Sequence, residues 1–157
     1  MEIDSYVKAL AALTAWREEN SNGVNGMMGV LFVIRNRAKA NWHFGDWEAI
    51  ITAQNQFDSM TRVGDGQTVH YPDPRDSNFN KILNYIDGIY DGSTADTLTQ
   101  GALYYADLTS PGFNKTGWFA KTILANPNRF PCVAKIGSTS YYADRGKNVA
   151  SDPVITT

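Results

Sequence analysis

An almost unbroken apolar run, MMGVLFVI from Met27 to Ile34, places the strongest constraint on how this chain folds. The pattern predicts a helix from about Met27 to Lys39 that is apolar nearly all round. A helix of this kind is normally buried at the centre of a domain. The length of 157 residues favours one domain, so we expect a single domain spanning residues 1–157.

Three more helices are predicted around this segment. The first begins at Asp4 or Ser5, which are helix-capping residue types, and runs to about Glu19. The turn SNGVNG separates it from the central helix. DWEAIITAQ predicts a short third helix, and FNKILNYIDGIYDG predicts a fourth that is capped by Ser77 and ended by Gly92.

The rest of the chain carries weaker signals. Gln56 to Asp76 is predicted to be a long loop, because glycine and proline interrupt it. GALYYA and VAKIGSTSYYA are typical of short strands, and WFAKTILAN of a small helix that ends at Pro127. The expected fold class is therefore α+β, mainly helical, with a small β element.

Composition limits the partners. Fourteen basic and sixteen acidic residues give a formal charge of −2, which argues against broad nucleic-acid binding. Eight Tyr, seven Phe and four Trp favour a polymer held by hydrogen bonding and stacking. No segment reaches the roughly 18 to 20 apolar residues that cross a bilayer, so we expect no membrane insertion. The first residues, MEIDSYVKAL, do not resemble a signal peptide.

Two adjacent carboxylates, Glu18 and Glu19, end the first predicted helix. On a helical wheel Glu18 falls in the apolar arc with Val7, whereas Glu19 falls about 100° away, towards solvent. Arg17 also falls in the apolar arc, where it is expected to extend its charge to solvent or to pair with an acid. Burial and the negative end of the helix dipole both raise the pKa of a carboxyl group. Glu18 is therefore a candidate general acid.

Other common chemistries lack their residues. His43 and His70 are far apart and form no zinc motif, so we expect no metal and no cofactor. Cys132 precedes a predicted strand with no histidine after it, and we interpret it as a buried structural cysteine rather than a nucleophile. GxSxG, phosphate-binding and dinucleotide-binding motifs are absent from the sequence. Of the common catalytic chemistries, acid catalysis by a carboxyl group is the one for which the sequence supplies a candidate residue.

The segment ALTAWREENSNGVNGMMGVLFVIRNRA resembles the signature of the SleB-type (spore cortex-lytic-like) cell-wall hydrolases. That signature is an apolar helix ending in Glu, a short glycine turn, and a long apolar helix ending in Asn-Arg. Glu18, Gly26 and the pair Asn36-Arg37 match it in register. IITAQNQFDS, LTQGALYYADLTSPGFNKTGWF and KIGSTSYYA resemble later segments, so the likeness spans about residues 8 to 143.

The resemblance implies a lysozyme-like fold that acts on the glycan strands of bacterial peptidoglycan. The implied reaction cleaves the β-1,4 bond between N-acetylmuramic acid and N-acetylglucosamine. In a lytic transglycosylase, Glu18 would be the sole acid and base, and the product would be a 1,6-anhydromuropeptide. In a hydrolytic muramidase a second carboxylate is needed, and Asp58 is the first candidate, followed by Asp65 and Asp73. A non-catalytic glycan-binding or virion structural domain is a further alternative.

The resemblance also suggests the substrate-binding residues and the setting. Side chains expected along the glycan are Gln56, Phe57, Asp58, Tyr104, Tyr105, Trp118, Tyr141 and Tyr142. Asn36 and Arg37 are interpreted as structural, and Glu19 as a surface or subsite residue. Thr139 stands where the family pattern has His, which favours the non-catalytic alternative. We expect a monomer that acts at the cell wall, phage-encoded, and either released by a holin or carried in the virion.

Overall fold

The central helix predicted from the apolar run is α2, Gly23–Lys39, in a computed structural model that describes residues 2–54, 56–62 and 64–146. It is buried without interruption from Gly29 to Arg37, as expected for a helix that is apolar nearly all round. The helix begins four residues earlier than predicted. The turn before it is reduced to Asn20–Asn22, because Gly23 adopts a φ of 72°.

Four other helices accompany α2: α1 (Ser5–Glu19), α3 (Trp47–Thr52), α4 (Asp58–Thr61) and α5 (Ser77–Asp91). The apolar faces of α1, α3 and α5 share one core with α2. The cap of α5 is Asp76 rather than the predicted Ser77, because the Asp76 carboxylate accepts the Phe79 N–H at 2.9 Å. The predicted stop at Gly92 is confirmed, with a left-handed φ of 84°.

Helix α1 buries part of the face that the helical wheel predicts, at Ala11, together with Ala12 and Ala15, which the wheel places towards solvent. Ala11, Ala12 and Ala15 are fully buried, whereas Tyr6 is 62% exposed. Alanine side chains are short, so this face of α1 can lie close against α2, and packing rather than side-chain hydrophobicity selects it. The rotation of the helix brings Glu19 into the interior, which makes its prediction as a surface residue wrong.

The β element is a three-stranded antiparallel sheet in the order β1 (Tyr104–Ala106), β3 (Thr139–Tyr142), β2 (Cys132–Ile136). Tyr105 is paired with Tyr141 across β1 and β3. The segment VAKIGSTSYYA forms two strands rather than one, because Gly137 adopts a φ of 57° and reverses the chain. The predicted small helix is present as a π-helix, Phe119–Leu124.

These elements confirm the expected class, α+β and mainly helical with a small β element. Within the described residues no helix combines the length and apolar character needed to span a membrane.

Cys132 is exposed, so its interpretation as a buried structural cysteine is wrong. It begins β2, which lies at one edge of the sheet, and the register between β2 and β3 shifts between Cys132 and Ala134. This irregularity at an edge strand leaves the thiol outside the core.

The sheet meets α2 at Gly29. A methyl group at this position would lie 2.9 Å from Cζ of Tyr141 and 3.0 Å from Cδ1 of Ile136. Tyr141 is fully buried at this contact, which is incompatible with its predicted role as a sugar platform. Glycine is therefore required here by the close approach of a strand side chain to the helix.

Gly29→Ala should lower the free energy of unfolding by about 1 to 3 kcal/mol, because the added methyl overpacks the contact with Tyr141. Urea denaturation measures this change. Gly66→Ala is the matched control, since nothing lies within 4 Å of a methyl group there. Equal stabilities for the two variants would contradict the contact.

Candidate active site

Two pockets that share Gln56 form a groove beside the end of α1. The first, the aromatic pocket, has a volume of about 600 Å³ and is lined by Arg37, Trp42, Gln56, Tyr104, Tyr105, Trp118 and Phe119. The second, the acidic pocket, has a volume of about 530 Å³ and is lined by Glu18, Gln56, Asp58, Ala106, Asp107, Ser110, Gly112 and Phe113. Pockets of this size and mixed polarity are typical ligand sites.

Glu18 lies in the acidic pocket, where the last turn of α1 faces strand β1. The Tyr105 hydroxyl donates a hydrogen bond of 2.6 Å to its Oε1. The Ser59 hydroxyl is buried near this carboxyl and makes no hydrogen bond of normal geometry within the described residues. Glu18 thus combines an opening to the groove with close polar neighbours.

The pKa of Glu18 is raised above its ordinary value of 4.5, and burial is the largest cause. The hydrogen bond from Tyr105 and the nearby Ser59 hydroxyl act in the opposite direction, because they favour the ionised carboxylate. The nearby charge of Asp58 raises the pKa further, and that of Arg37 lowers it. Glu18 therefore keeps its proton to a higher pH than an exposed glutamate does, and the Tyr105 hydroxyl is placed to stabilise its ionised form.

Asp107 is a pocket carboxylate that the sequence analysis did not select. Its Oδ1 accepts bonds from the backbone N–H and the hydroxyl of Thr109, at 2.9 and 2.6 Å, and its Oδ2 accepts the Ser138 hydroxyl at 2.9 Å. The bonds from Thr109 and Ser138 hold the pKa of Asp107 below its ordinary value. Carboxyl groups with opposite pKa shifts thus line one pocket, an arrangement that suits separate acid and base roles.

Glu19 points away from the groove into the interior and is 4% exposed. The Thr139 hydroxyl donates to its Oε1 at 2.7 Å, and Asn22 Nδ2 donates to its Oε2 at 2.6 Å. Burial raises the pKa of Glu19 too. Thr139, which stands where the family pattern has His, therefore joins β3 to the end of α1 and does not reach the groove as a binding residue would.

Arg17 holds the loop that follows Gln56 against α1. Its guanidinium donates to the carbonyl oxygens of Ser59, Thr68 and His70 at 3.1, 3.0 and 2.9 Å. It also lies 5.0 Å from the centre of the Tyr71 ring. The expectation that Arg17 reaches solvent or pairs with an acid is wrong, because backbone carbonyl oxygens accept the hydrogen bonds of its guanidinium. Arg17 thereby fixes Ser59 beside Glu18.

The structure divides the predicted substrate-binding residues into two groups. Residues that line the groove are Gln56, Asp58, Tyr104, Tyr105 and Trp118. Residues that are buried instead are Phe57, Tyr141 and Tyr142, with exposed fractions of 1%, 0% and 6%. The predicted glycan contacts of these three are corrected, because their rings pack in the interior and offer no face to a ligand.

Asn36 and Arg37 were both interpreted as structural. Asn36 fits this interpretation, because its Nδ2 donates to Asp96 Oδ2 at 3.1 Å and to the Ala102 carbonyl at 3.0 Å. Arg37 donates through Nε to the Leu103 carbonyl at 2.8 Å, but it also lines the aromatic pocket. Its position at the end of the Asn-Arg segment is the sequence signal for a residue of the pocket.

Other groove residues gave no pattern in the sequence. Trp42, Phe113 and Phe119 line the two pockets from three separate turns and helices.

Over the described ranges, no three His, Cys, Asp or Glu side chains gather as a group that could hold a metal ion. Comparison of the chain with protein-family models, curated proteins and solved structures finds no match in any of the three.

Arg17→Met should lower the free energy of unfolding by about 2 to 4 kcal/mol, because it leaves three loop carbonyls without their charged donor. Amide hydrogen exchange should accelerate most in residues 59–71. The control Arg75→Ala removes an arginine that is 91% exposed and pairs with Asp73, two residues earlier, so it should change stability little. Uniform acceleration across the chain in Arg17→Met would contradict a local role.

Glu18→Gln should be more stable than the wild type near neutral pH, with a gap that closes in acid. Below the ordinary pKa of 4.5 the carboxyl is protonated in the folded and the unfolded chain alike. As the pH rises above that value, the unfolded carboxyl ionises first, and the wild type loses stability until the raised folded pKa is passed.

Urea unfolding at about pH 4 and about pH 7 measures this gap. Glu48→Gln, at an exposed glutamate in the first turn of α3, gives the background value. A gap for Glu18→Gln that narrows as the pH rises would show that the shift has the opposite sign.

Proposed function

We propose that this protein cleaves the β-1,4 bond between N-acetylmuramic acid and N-acetylglucosamine in bacterial peptidoglycan. The observation that carries the proposal is the state of Glu18. Its carboxyl group opens into a groove, its pKa is raised by burial, and it accepts a hydrogen bond from Tyr105. A proton donor of this kind is what glycosidic cleavage needs. The motif resemblance supplies the substrate class.

In the proposed reaction, Glu18 gives its proton to the glycosidic oxygen as the bond from that oxygen to C1 of the muramic residue breaks. The Tyr105 hydroxyl stabilises the carboxylate that this step leaves behind. The ionised Glu18 then takes the proton of the muramic 6-hydroxyl as its oxygen bonds to C1. The product is a 1,6-anhydro ring, no water is consumed, and Glu18 regains its proton.

The groove would hold the glycan on both sides of Glu18. Tyr104 and Trp118 lie on the aromatic side with ring centres 5.9 Å apart, and Trp118 is 61% exposed. Exposed rings of this type stack on the apolar faces of sugars. Gln56, which is shared by both pockets, would bridge the two subsites through its amide. We also propose that the fold is lysozyme-like.

A hydrolytic muramidase is a second candidate, favoured by the other acids of the pocket. Asp58 lines the same pocket as Glu18, and its charge raises the pKa of Glu18. Asp107 is a further carboxylate there, with its pKa lowered. A hydrolase would use one of them about 5 to 9.5 Å from the acid to activate water or to attack C1. The product would then carry a reducing end.

The setting is proposed from the resemblance alone. The partner would be the glycan strands of the cell wall, met by a monomer that a phage releases through a holin or carries in its virion.

Purified sacculi treated with the wild type should release soluble anhydromuropeptides, identified by mass spectrometry. Glu18→Gln should slow release by about 10²- to 10⁴-fold, because the amide cannot donate a proton as an acid. The matched control is Glu48→Gln, which changes an exposed glutamate that does not line the groove and should retain activity.

Three outcomes distinguish the candidates. Reducing-end muramic acid in place of the anhydro product would indicate the hydrolytic reaction. Equal digestion by wild type and Glu18→Gln would remove Glu18 from the mechanism. Binding to sacculi without digestion by any variant would indicate a glycan-binding domain and contradict the proposed activity.

A further inference from the structure

Arg37 is a buried cation in the wall of the aromatic pocket. The residue is 5% exposed, and its guanidinium lies 4.7 Å from the centre of the Trp42 ring and 5.8 Å from that of Tyr104. Its Nε is held by the Leu103 carbonyl at 2.8 Å. Its Nη1 is buried and has no acceptor among the described residues. A buried charged donor without an acceptor is rare in proteins, and in the wall of a pocket a bound ligand is one way to satisfy it.

The local charge favours an anion as that ligand. Glu18 is the carboxyl whose charge acts on Arg37, and burial raises its pKa. When Glu18 holds its proton, it no longer offsets the guanidinium. A carboxylate bound at Arg37 would restore the balance of charge in a region of low polarity.

The other walls favour a ring. Trp42, Tyr104, Trp118 and Phe119 surround a volume of about 600 Å³, which is ample for one sugar residue with its substituents. Tyr104 and Trp118 offer ring faces, and Gln56 offers an amide that can both donate and accept. A small inorganic anion would leave these walls without contacts.

We propose that the aromatic pocket binds a carboxylate-bearing amino sugar, with Arg37 donating hydrogen bonds to the carboxylate and the aromatic rings packing on the sugar. The identity of this ligand rests on the proposed function. It is N-acetylmuramic acid with a free lactyl carboxylate, as in a glycan strand stripped of its stem peptide. An amide-linked stem removes the negative charge, so the enzyme would prefer stripped strands.

The test is the affinity for N-acetylmuramic acid compared with that for its lactyl methylamide, which differs in the charge. Titration followed by tryptophan fluorescence uses Trp42 and Trp118 as reporters within the pocket, and calorimetry checks the values. The free acid should bind about tenfold more tightly than the amide, because the hydrogen bond to the carboxylate is charge-assisted.

Two variants at Arg37 keep the test decisive. Arg37→Gln removes the charge and should bring the ratio of affinities close to one. Arg37→Lys keeps the charge but loses the planar fork, so the ratio should fall severalfold even if Arg37→Gln fails to fold. Trp118→Ala should weaken both ligands alike and preserve the ratio. Arg129→Lys, at an arginine packed on Phe130 outside the pocket, is the matched control and should leave binding unchanged.

Equal binding of acid and amide by the wild type would overturn the inference, as would a ratio that both Arg37 variants retain. The result is separable from the proposed activity. Selective binding of the free acid without digestion of sacculi would contradict the cleavage alone. Digestion without this selectivity would contradict the carboxylate subsite alone.

Discussion

The end of α1 is held to the sheet by two hydrogen bonds that hydroxyl groups of the sheet donate to adjacent glutamates, and the groove depends on both. Tyr105 of β1 donates to Glu18, and Thr139 of β3 donates to Glu19. Neighbouring residues on a helix point about 100° apart, so the two carboxyls diverge. One enters the interior and fixes the hairpin, and the other faces the pocket. Chemistry at Glu18 thus rests on structure at Glu19.

The groove contains ionisable side chains whose pKa values are shifted by burial, at a cost in stability. Burial raises the pKa of Glu18, while hydrogen bonds lower that of Asp107 in the same pocket. Burial also lowers the pKa of Arg37, whose Nη1 has no acceptor within the described chain. Burial of ionisable groups, as at Glu18 and Arg37, lowers stability and is typical of functional sites. This cost supports a role for the groove beyond packing.

Local patterns predicted what local forces determine. The run from Met27 to Ile34 gave α2, and Gly92 gave the end of α5, because each signal lies within the element itself. The helical wheel and the motif both selected Glu18 as a candidate, and the structure places it in the acidic pocket. Arg17 was misinterpreted because its acceptors lie 42 to 53 residues away, and Glu19 because Thr139 lies 120 residues away. The buried face of α1 is formed by alanines rather than by larger apolar residues, so a hydrophobicity pattern does not identify it. Asp107 enters the pocket through hydrogen bonds with distant Ser138.

The most direct measurement is the pKa of the Glu18 carboxyl itself, followed by carbon NMR titration and assigned by its loss in Glu18→Gln. The wild-type value should lie above 4.5, because burial outweighs the hydrogen bonds. In Tyr105→Phe the value should rise further, since the donor that favours the ionised form is gone. A wild-type value at or below 4.5, or a fall in Tyr105→Phe, would contradict the assignment of Glu18 as a proton donor.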